Sequence, residues 1–180
     1  MVFEQEYLAI IHRRFNGVKK LGDDTLAQLS EEHIRWHPNE QSNSIRVIIK
    51  HMHGNMRSRF TDFLTTDGEK ATRNRDEEFH NTVATKTELN LLWEEGWAVV
   101  LDTLSSLKPS DLGKSVTIRG EVHSVIDAIE RQLAHYAYHV GQIVYIGKQI
   151  KGQDWDTLSI PVGKSQAYLE EMVKKHTPGK

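Results

Sequence analysis

Two histidines, His135 and His139, lie four residues apart in the run HYAYHVGQIVYIG, which spans residues 135–147. Residues i and i+4 of an α-helix share one face, with Cβ atoms about 5–6 Å apart. Two imidazole rings at that spacing can converge on one divalent metal ion, with nitrogen–metal distances of about 2 Å for zinc. The spacing alone is a weak signal, because ten histidines in 180 residues give roughly half of one such pair by chance. The surrounding sequence therefore has to decide what the pair does.

A second pair with the same spacing, His33 and His37, lies in the sequence HIRWHPNE. Pro38 follows directly, and the residue before a proline is disfavoured in the helical conformation. This pair is therefore the weaker candidate. His135 and His139 instead fall on one shoulder of the apolar stripe of a long helical pattern, where a site is both walled by protein and reachable by a substrate. The alternative is a pair of histidines that only form hydrogen bonds at the edge of the core.

Apolar residues at spacings of three and four predict four long amphipathic helices. Capping residues, glycines and prolines set their expected ends. The first spans about residues 3–28, the second begins at Ser42 or Ser44 and ends at Gly68, the third begins at Thr85 or Thr87 and ends at Lys108, and the fourth spans about residues 121–150 before Gly152.

Two segments between these helices lack the helical period. The segment 67–81 is highly charged and predicts an ordered loop or crossover, in which Arg73 and Arg75 are expected to pair with the acidic residues 76–78. In SVTIRGEV, residues 115–122, apolar and polar residues alternate briefly, which predicts an extended turn.

Together these elements predict an all-α protein that folds as a four-helix bundle. The connection between the second and third helices is long, and a short helix is expected near residues 164–175. Residues 1–150 would form the bundle domain, and residues 151–180 would form a C-terminal loop and short helix packed on it. Bundles of this kind often hold a metal ion or cofactor between facing helices.

Composition narrows the possible functions. A net charge of −2 gives no reason to expect binding to nucleic acid or to an anionic membrane. The absence of cysteine excludes disulfides, thiolate metal ligands and a cysteine nucleophile. Glu4 and Glu6 fall where a signal peptide needs its apolar core, and no apolar run approaches the ~20 residues of a membrane span. We therefore expect a cytoplasmic protein.

A third metal ligand would have to come from another helix, and IIKHMHGNM in the second helix offers His51 and His53. The helical period places His53 nearer the apolar face and His51 on a shoulder beside Asn55. Burial therefore favours His53, whereas a site at the edge of the helix seam favours His51. Periodicity by itself leaves both open.

At these residues the chain resembles the DinB-like superfamily of four-helix bundle metal-dependent proteins, which includes the YfiT-type proteins. Its members carry a histidine on the second helix after a small polar residue and five or six mostly apolar residues. SIRVIIKH, residues 44–51, is similar to that pattern and indicates His51. HYAYHVGQI, residues 135–143, resembles the histidine pair of their fourth helix. The resemblance covers roughly residues 3–150, and residues 53–79 look like a branch of uncharacterised function.

The resemblance implies a divalent metal ion held by His51, His135 and His139. Zinc or nickel is the expected ion, with iron or copper as alternatives, since sites made only of nitrogen ligands suit each of them. Characterised relatives include enzymes that act with a low-molecular-weight thiol on a small electrophile. The chain has no cysteine, so any such thiol would arrive as a substrate. A thiol S-transferase or hydrolase-like enzyme is therefore implied, although the His-Glu-x-x-His motif of zinc proteases is missing.

Asn55, Arg59 and Gln142 are candidate substrate or supporting contacts, because they follow the candidate ligands at helical spacings. Arg59 suits a substrate carboxylate, although a salt bridge to a neighbouring helix would use it equally well. The alternative function is a non-catalytic helical bundle that serves as a binding or dimeric scaffold. A homodimer is expected in either case. Trp93, Trp97 and Trp155 are candidates for a dimer face, although core packing is the commoner use of such residues.

Overall fold

The computed structural model describes residues 2–80, 82 and 85–177, and it is mostly helical, in agreement with the predicted all-α class. One antiparallel pair of short strands lies between the third and fourth of its α-helices. The α-helices of the described residues are α1 (Val2–Ala27), α2 (Ile45–Phe60), α3 (Lys86–Ser106), α4 (Val125–Lys151) and α5 (Ser165–His176), and the strands are β1 (Ser115–Ile118) and β2 (Glu121–Ser124).

The four long helices pack on one another around a continuous apolar core. The most extensive contacts join α2 to α3 and α1 to α4, and α1 also contacts α3 while α2 contacts α4. Each helix contributes one ring to an aromatic cluster of Phe15, Phe60, Trp97 and Tyr136, in which Phe15 meets the other three rings edge to face. Trp93 is also buried. Trp93 and Trp97 therefore serve the core rather than a dimer face.

Side-chain caps and a glycine define several helix ends, of which the start of α3 after Thr85 and the end of α4 at Gly152 lie where the sequence predicts them. The side chain of Thr85 caps α3 by accepting a hydrogen bond from the backbone N–H of Glu88. Ser124 caps α4 in the same way, through the N–H of Asp127. Gly152 ends α4 with a φ of 55°, in the region that favours glycine.

The predicted end of α2 at Gly68 is wrong, because the helix ends at Phe60. Thr61 at the helix end is extended, with a φ of −67° and a ψ of 128°. Asp62, which follows, adopts a left-handed φ of 49° and turns the chain further. The backbone N–H groups of Thr65 and Thr66 then bond to the carbonyl of Asp62, which closes a compact turn.

The predicted start of the fourth helix near residue 121 is also wrong. Residues 115–124 form a hairpin in which β1 and β2 pair antiparallel, and α4 begins only at Val125. Arg119 and Gly120 form the two-residue turn of the hairpin. Their φ values are 56° and 77°, and a tight hairpin turn requires such positive values.

The connection after α2 is bound to this hairpin. The backbone N–H of Gly68 donates to the carbonyl of Thr117 over 2.7 Å. The carboxylate of Asp67 accepts from the backbone N–H groups of Arg119 and Gly120 at 2.9 and 2.8 Å. The two inter-helix connections therefore form one continuous wall beside α2 and α4.

The segment after α4 is tied back to the end of α1. The Gln28 side chain donates to the carbonyl of Asp156 over 3.1 Å and accepts from its N–H over 2.9 Å. α5 follows and has no buried side chain, while the predicted domain division at residue 150 stays a prediction. None of the described helices combines the length and apolar character needed to cross a bilayer.

Candidate metal centre

α2 and α4 bring His51, His135 and His139 together. The Nε2 atom of His135 lies 3.4 Å from Nε2 of His51 and 3.1 Å from Nε2 of His139. Each ring offers one nitrogen within 4.8 Å of the others, and this is the one such group of three among the described residues. Two nitrogen ligands of a tetrahedral zinc ion would be roughly 3.3 Å apart, so these separations fit a shared ion.

Hydrogen bonds on the far side of two rings determine what the cluster presents at its centre. Nδ1 of His51 lies 2.9 Å from a carboxylate oxygen of Glu78, and Nδ1 of His139 lies 2.9 Å from the amide oxygen of Gln142. Both oxygens accept, so each Nδ1 carries a hydrogen, and a ring without a second proton turns an Nε2 lone pair towards His135. His135 can donate to only one of them, whereas a metal cation would satisfy all three nitrogens.

Burial keeps two of the rings in the form that binds metal. Burial, reinforced by the nearby His139 and His51, lowers the pKa of His135 to about 3. Burial also lowers the pKa of His139, against the opposing effect of its hydrogen bond with Gln142. Metal ligation needs a neutral imidazole. Both rings are therefore ready to bind a cation at neutral pH without first losing a proton.

Glu78 is the functional residue that sequence reasoning missed. It lies in a short 3₁₀ helix, Asp76–Phe79, and is only 6% exposed. Its two oxygens accept hydrogen bonds from Arg73 at 2.7 and 2.8 Å. Burial acts to raise the pKa of Glu78, but the hydrogen bonds from Arg73 and His51 outweigh it and the pKa is lowered. An ionised carboxylate on the far nitrogen of a ligating histidine fixes the ring and raises its basicity.

The surroundings of Glu78 show how tightly this segment is packed on α2. A Cβ atom at Gly54 would lie 2.1 Å from Glu78 Oε1, so the close approach depends on glycine there. The ring of Phe79 stacks on His51 with centroids 5.0 Å apart. Phe79 is the one aromatic residue in the charged segment, and it is the only sequence signal that this segment returns to the core.

A cavity of about 360 Å³ opens over the three histidines. Its wall is strongly basic and includes Asn55 and five arginines, namely Arg59, Arg73, Arg75, Arg119 and Arg131. Arg73 pairs with Glu78 as predicted for the charged segment, but Arg75 instead lies over the ring of Phe79, 5.1 Å from its centroid. Both arginines also line the cavity.

Two of the predicted contact residues, Asn55 and Arg59, lie in this wall. The hydroxyl of Tyr136 donates to Oδ1 of Asn55 over 3.0 Å. Arg59 donates to the carbonyl of Gly68 and, over 3.0 Å, to Glu69. The salt bridge of Arg59 is therefore made to the connection after α2 and not to a neighbouring helix.

The third predicted contact residue, Gln142, orients His139 and also lines a second cavity of about 540 Å³. This cavity lies between α4 and the residues that precede α2, including Ser42. Tyr138 borders both cavities. Gln142 thus connects the second cavity to the histidine cluster through a single side chain.

The other candidate histidines do not join the cluster. His53 points towards α3, where its Nε2 lies 3.3 Å from a carboxylate oxygen of Glu95. The helical turn at His33 ends at Arg35, so His37 falls outside it. Nδ1 of His33 instead accepts from the backbone of Ser30, over 3.1 Å.

Fold and site together define a mostly helical protein with three histidines placed closely enough to hold a metal ion. A model of the family described as "Protein of unknown function (DUF1572)" matches residues 2–164, and the chain belongs to this family. The match includes α1–α4 and all three histidines. Comparison with curated proteins and with solved structures gives no match. The family description names no activity.

Proposed function

We propose that this protein is a metal-dependent enzyme of the DinB-like superfamily, in which the four long helices form the superfamily's four-helix bundle. The observation that carries the proposal is the convergence of His51, His135 and His139, whose ring nitrogens meet while Glu78 and Gln142 hold the far side of two rings. The expected ion is zinc or nickel, with iron or copper as alternatives.

Three protein ligands suit a catalytic site better than a structural one, because structural zinc sites normally have four. A divalent ion at this position would lower the pKa of a thiol or water molecule placed against it. The protein's own part is to fix the rings of His51 and His139 through Glu78 and Gln142, and to surround the reacting group with hydrogen-bond donors such as Asn55.

The two adjacent cavities support a reaction between two small molecules. The 360 Å³ cavity covers the histidines, and the 540 Å³ cavity shares Tyr138 with it. Each is large enough for a small ligand. We propose that a low-molecular-weight thiol and a small electrophile occupy these cavities. The thiol loses its proton, and its sulfur forms a C–S bond with the electrophile as the electrophile's leaving group departs. The thiol is a substrate because the chain has no cysteine.

Metal analysis of protein purified without an affinity tag tests the metal site. We expect about one equivalent of divalent metal in the wild type and a large loss in His139→Ala. His37→Ala is the matched control, because His37 belongs to the other pair with the same spacing but lies outside the cluster. A wild-type protein with less than about a tenth of an equivalent, unchanged in His139→Ala, would instead favour the non-catalytic scaffold.

The reaction class is tested with glutathione as the reporter thiol and monochlorobimane as the electrophile. Fluorescence should rise faster with the metal-loaded enzyme than with the His135→Ala variant, which loses a ligand. Equal rates for the two proteins, at full metal occupancy of the wild type, would contradict thiol transfer while leaving the metal site in place.

We also propose a homodimer. Trp93 and Trp97 are buried in the core, so of the three tryptophans considered for a dimer face only Trp155 is partly exposed. Light scattering of the full chain tests the assembly. A monomer mass at protein concentrations of about 50 μM would contradict a stable dimer.

A further inference from the structure

We infer that the substrate bound against the histidines carries an oxyanion group, either a carboxylate or a phosphate, and that Arg75 and Arg131 bind this group. The inference rests on the proposed function, since it names the substrate class of the same site. Five arginines line the 360 Å³ cavity, and no Asp or Glu is among its described lining residues. A cavity of that volume admits a small molecule rather than a polymer.

Three of the five arginines already have carboxylate partners. Glu69 pairs with Arg59 at 3.0 Å and with Arg119 at 2.8 Å. Glu78 pairs with Arg73 at 2.7 Å. These three guanidinium groups are held by two carboxylates, so even this part of the wall keeps a positive balance.

Arg75 and Arg131 are the two arginines that remain. Arg75 contacts the face of Phe79, and Arg131 approaches Nε2 of His123 at 3.4 Å. Within the described part of the chain neither forms a salt bridge, and both are exposed while lining the cavity. A guanidinium group presents a planar fork of donors that matches a carboxylate or phosphate. These two side chains are therefore free to receive an anion that enters from solvent.

The polar groups between the arginines also favour an acceptor as ligand. Asn55 is 6% exposed, and its amide oxygen already accepts the hydroxyl hydrogen of Tyr136 at 3.0 Å. The amide N–H groups of Asn55 are then the part left for the cavity. A wall rich in N–H donors fits an oxygen-rich anion, whereas a neutral or cationic substrate would leave the guanidinium charges without a counterpart.

The positive charge of this cavity is not a general property of the protein. The whole chain carries a net charge of −2. A basic pocket in a slightly acidic protein concentrates small anions at that place. This contrast sets the cavity apart from a basic surface that would attract nucleic acid along its length.

Isothermal titration calorimetry of the full chain tests the inference, with malonate as the carboxylate probe and inorganic phosphate as the other. Both are titrated at constant ionic strength into metal-free protein and into protein loaded with zinc, and the tighter probe identifies the source of the oxyanion. Arg75→Gln and Arg131→Gln should each weaken binding roughly tenfold, as the loss of a charge-assisted hydrogen bond predicts. Arg14→Gln, an exposed arginine of α1, is the matched control and should bind as the wild type does.

Weaker binding in both cavity variants, with no change in Arg14→Gln, supports the inference. Equal affinity in all four proteins, or no binding of either probe, overturns it. Zinc binding is measured in the same preparations to separate the two possible failures. Protein that binds zinc but neither anion refutes only the substrate class. Protein that binds an anion but no zinc supports the oxyanion site and refutes the metal-dependent function.

Discussion

Glu78 and His51 are 27 residues apart in sequence, yet a carboxylate oxygen of Glu78 lies 2.9 Å from Nδ1 of His51. The bond joins the connection after α2 to a candidate ligand on α2, and Arg73 holds the same carboxylate from the other side. Bonds of this kind set the tautomer and the orientation of a ligating ring. Metal affinity should therefore depend on a loop residue that is not itself a ligand.

Glu78→Gln is expected to weaken zinc binding by about 10–100-fold, because the amide keeps the shape of the side chain but loses the charge that supports the His51 ring. Competition with a chromogenic chelator measures the affinity. The matched control is Glu77→Gln, since the neighbouring carboxylate is 55% exposed. An unchanged affinity in Glu78→Gln, or an equal loss in both variants, would count against this role.

Gln142→Leu removes the acceptor for Nδ1 of His139 and should weaken zinc binding by about tenfold, because the ring loses its fixed orientation. Gln149→Leu serves as the control, since Gln149 lies two turns further along α4 and lines the same 540 Å³ cavity. The same chelator competition applies. If both variants bind zinc as tightly as the wild type, Gln142 does not position the ligand.

The metal-free protein should lose stability as the pH falls below 6.5, the ordinary pKa of histidine. Burial and the neighbouring rings lower the pKa of His135 to about 3 in the folded state. Between these two pH values the unfolded chain binds a proton that the folded chain does not. The free energy of unfolding therefore decreases as the pH decreases. The contribution is fully present above pH 6.5 and is lost progressively towards pH 3.

Urea unfolding of the metal-free wild type and of His135→Gln, from about pH 7.5 down to about pH 4.5, measures this effect. The variant lacks the titrating ring and should show a shallower decline in the free energy of unfolding. Parallel declines in the two proteins would show that His135 does not remain neutral in the folded state.

The same substitution at two glycines of α1 should have opposite effects. A Cβ atom at Gly22 would lie 2.3 Å from the ring of Trp93, which is 3% exposed and is held by the hydrogen bond that its Nε1 donates to Asp23. Gly22→Ala should therefore destabilise the protein by about 1–3 kcal/mol. At Gly17 no packing neighbour lies within 4 Å, so Gly17→Ala should stabilise the helix by about 1 kcal/mol. Thermal unfolding compares the two, and changes of the same sign would contradict the packing of Trp93 on α1.

The helices could be predicted from sequence because an apolar period is a local property. The capping role of Thr85 and the stop at Gly152 were predictable for the same reason, since each acts within a few residues of its own helix end. The end of α2 was not predictable, because it depends on an extended conformation at Thr61 and a left-handed conformation at Asp62. The late start of α4 depends on the pairing of two strands. The short alternation of apolar and polar residues in residues 115–122 predicts only an extended turn and not this pairing.

The site was predictable in part. The proximity of His135 and His139 follows from their spacing of four residues within one helix. The choice of His51 over His53 required the resemblance to the DinB-like superfamily. The structure places His51 with the pair, and metal binding by the three stays a prediction. Glu78 could not be found because its burial comes from a return of the chain to α2, which leaves no period in sequence. Phe79 was the only residue whose type indicated that this segment returns to the core.

Asp67 has a consequence for how such proteins can be redesigned. Its carboxylate binds two backbone N–H groups of the hairpin turn, and so couples connections more than 50 residues apart. The three histidines lie on α2 and α4, while Arg73, Arg75 and Arg119 lie on the two coupled connections. On the proposed function, the two helices would carry the metal ligands, and these connections together with Arg131 on α4 would select the substrate. A graft that transfers a new selectivity would have to move residues 61–80 and 115–124 as one unit, together with position 131.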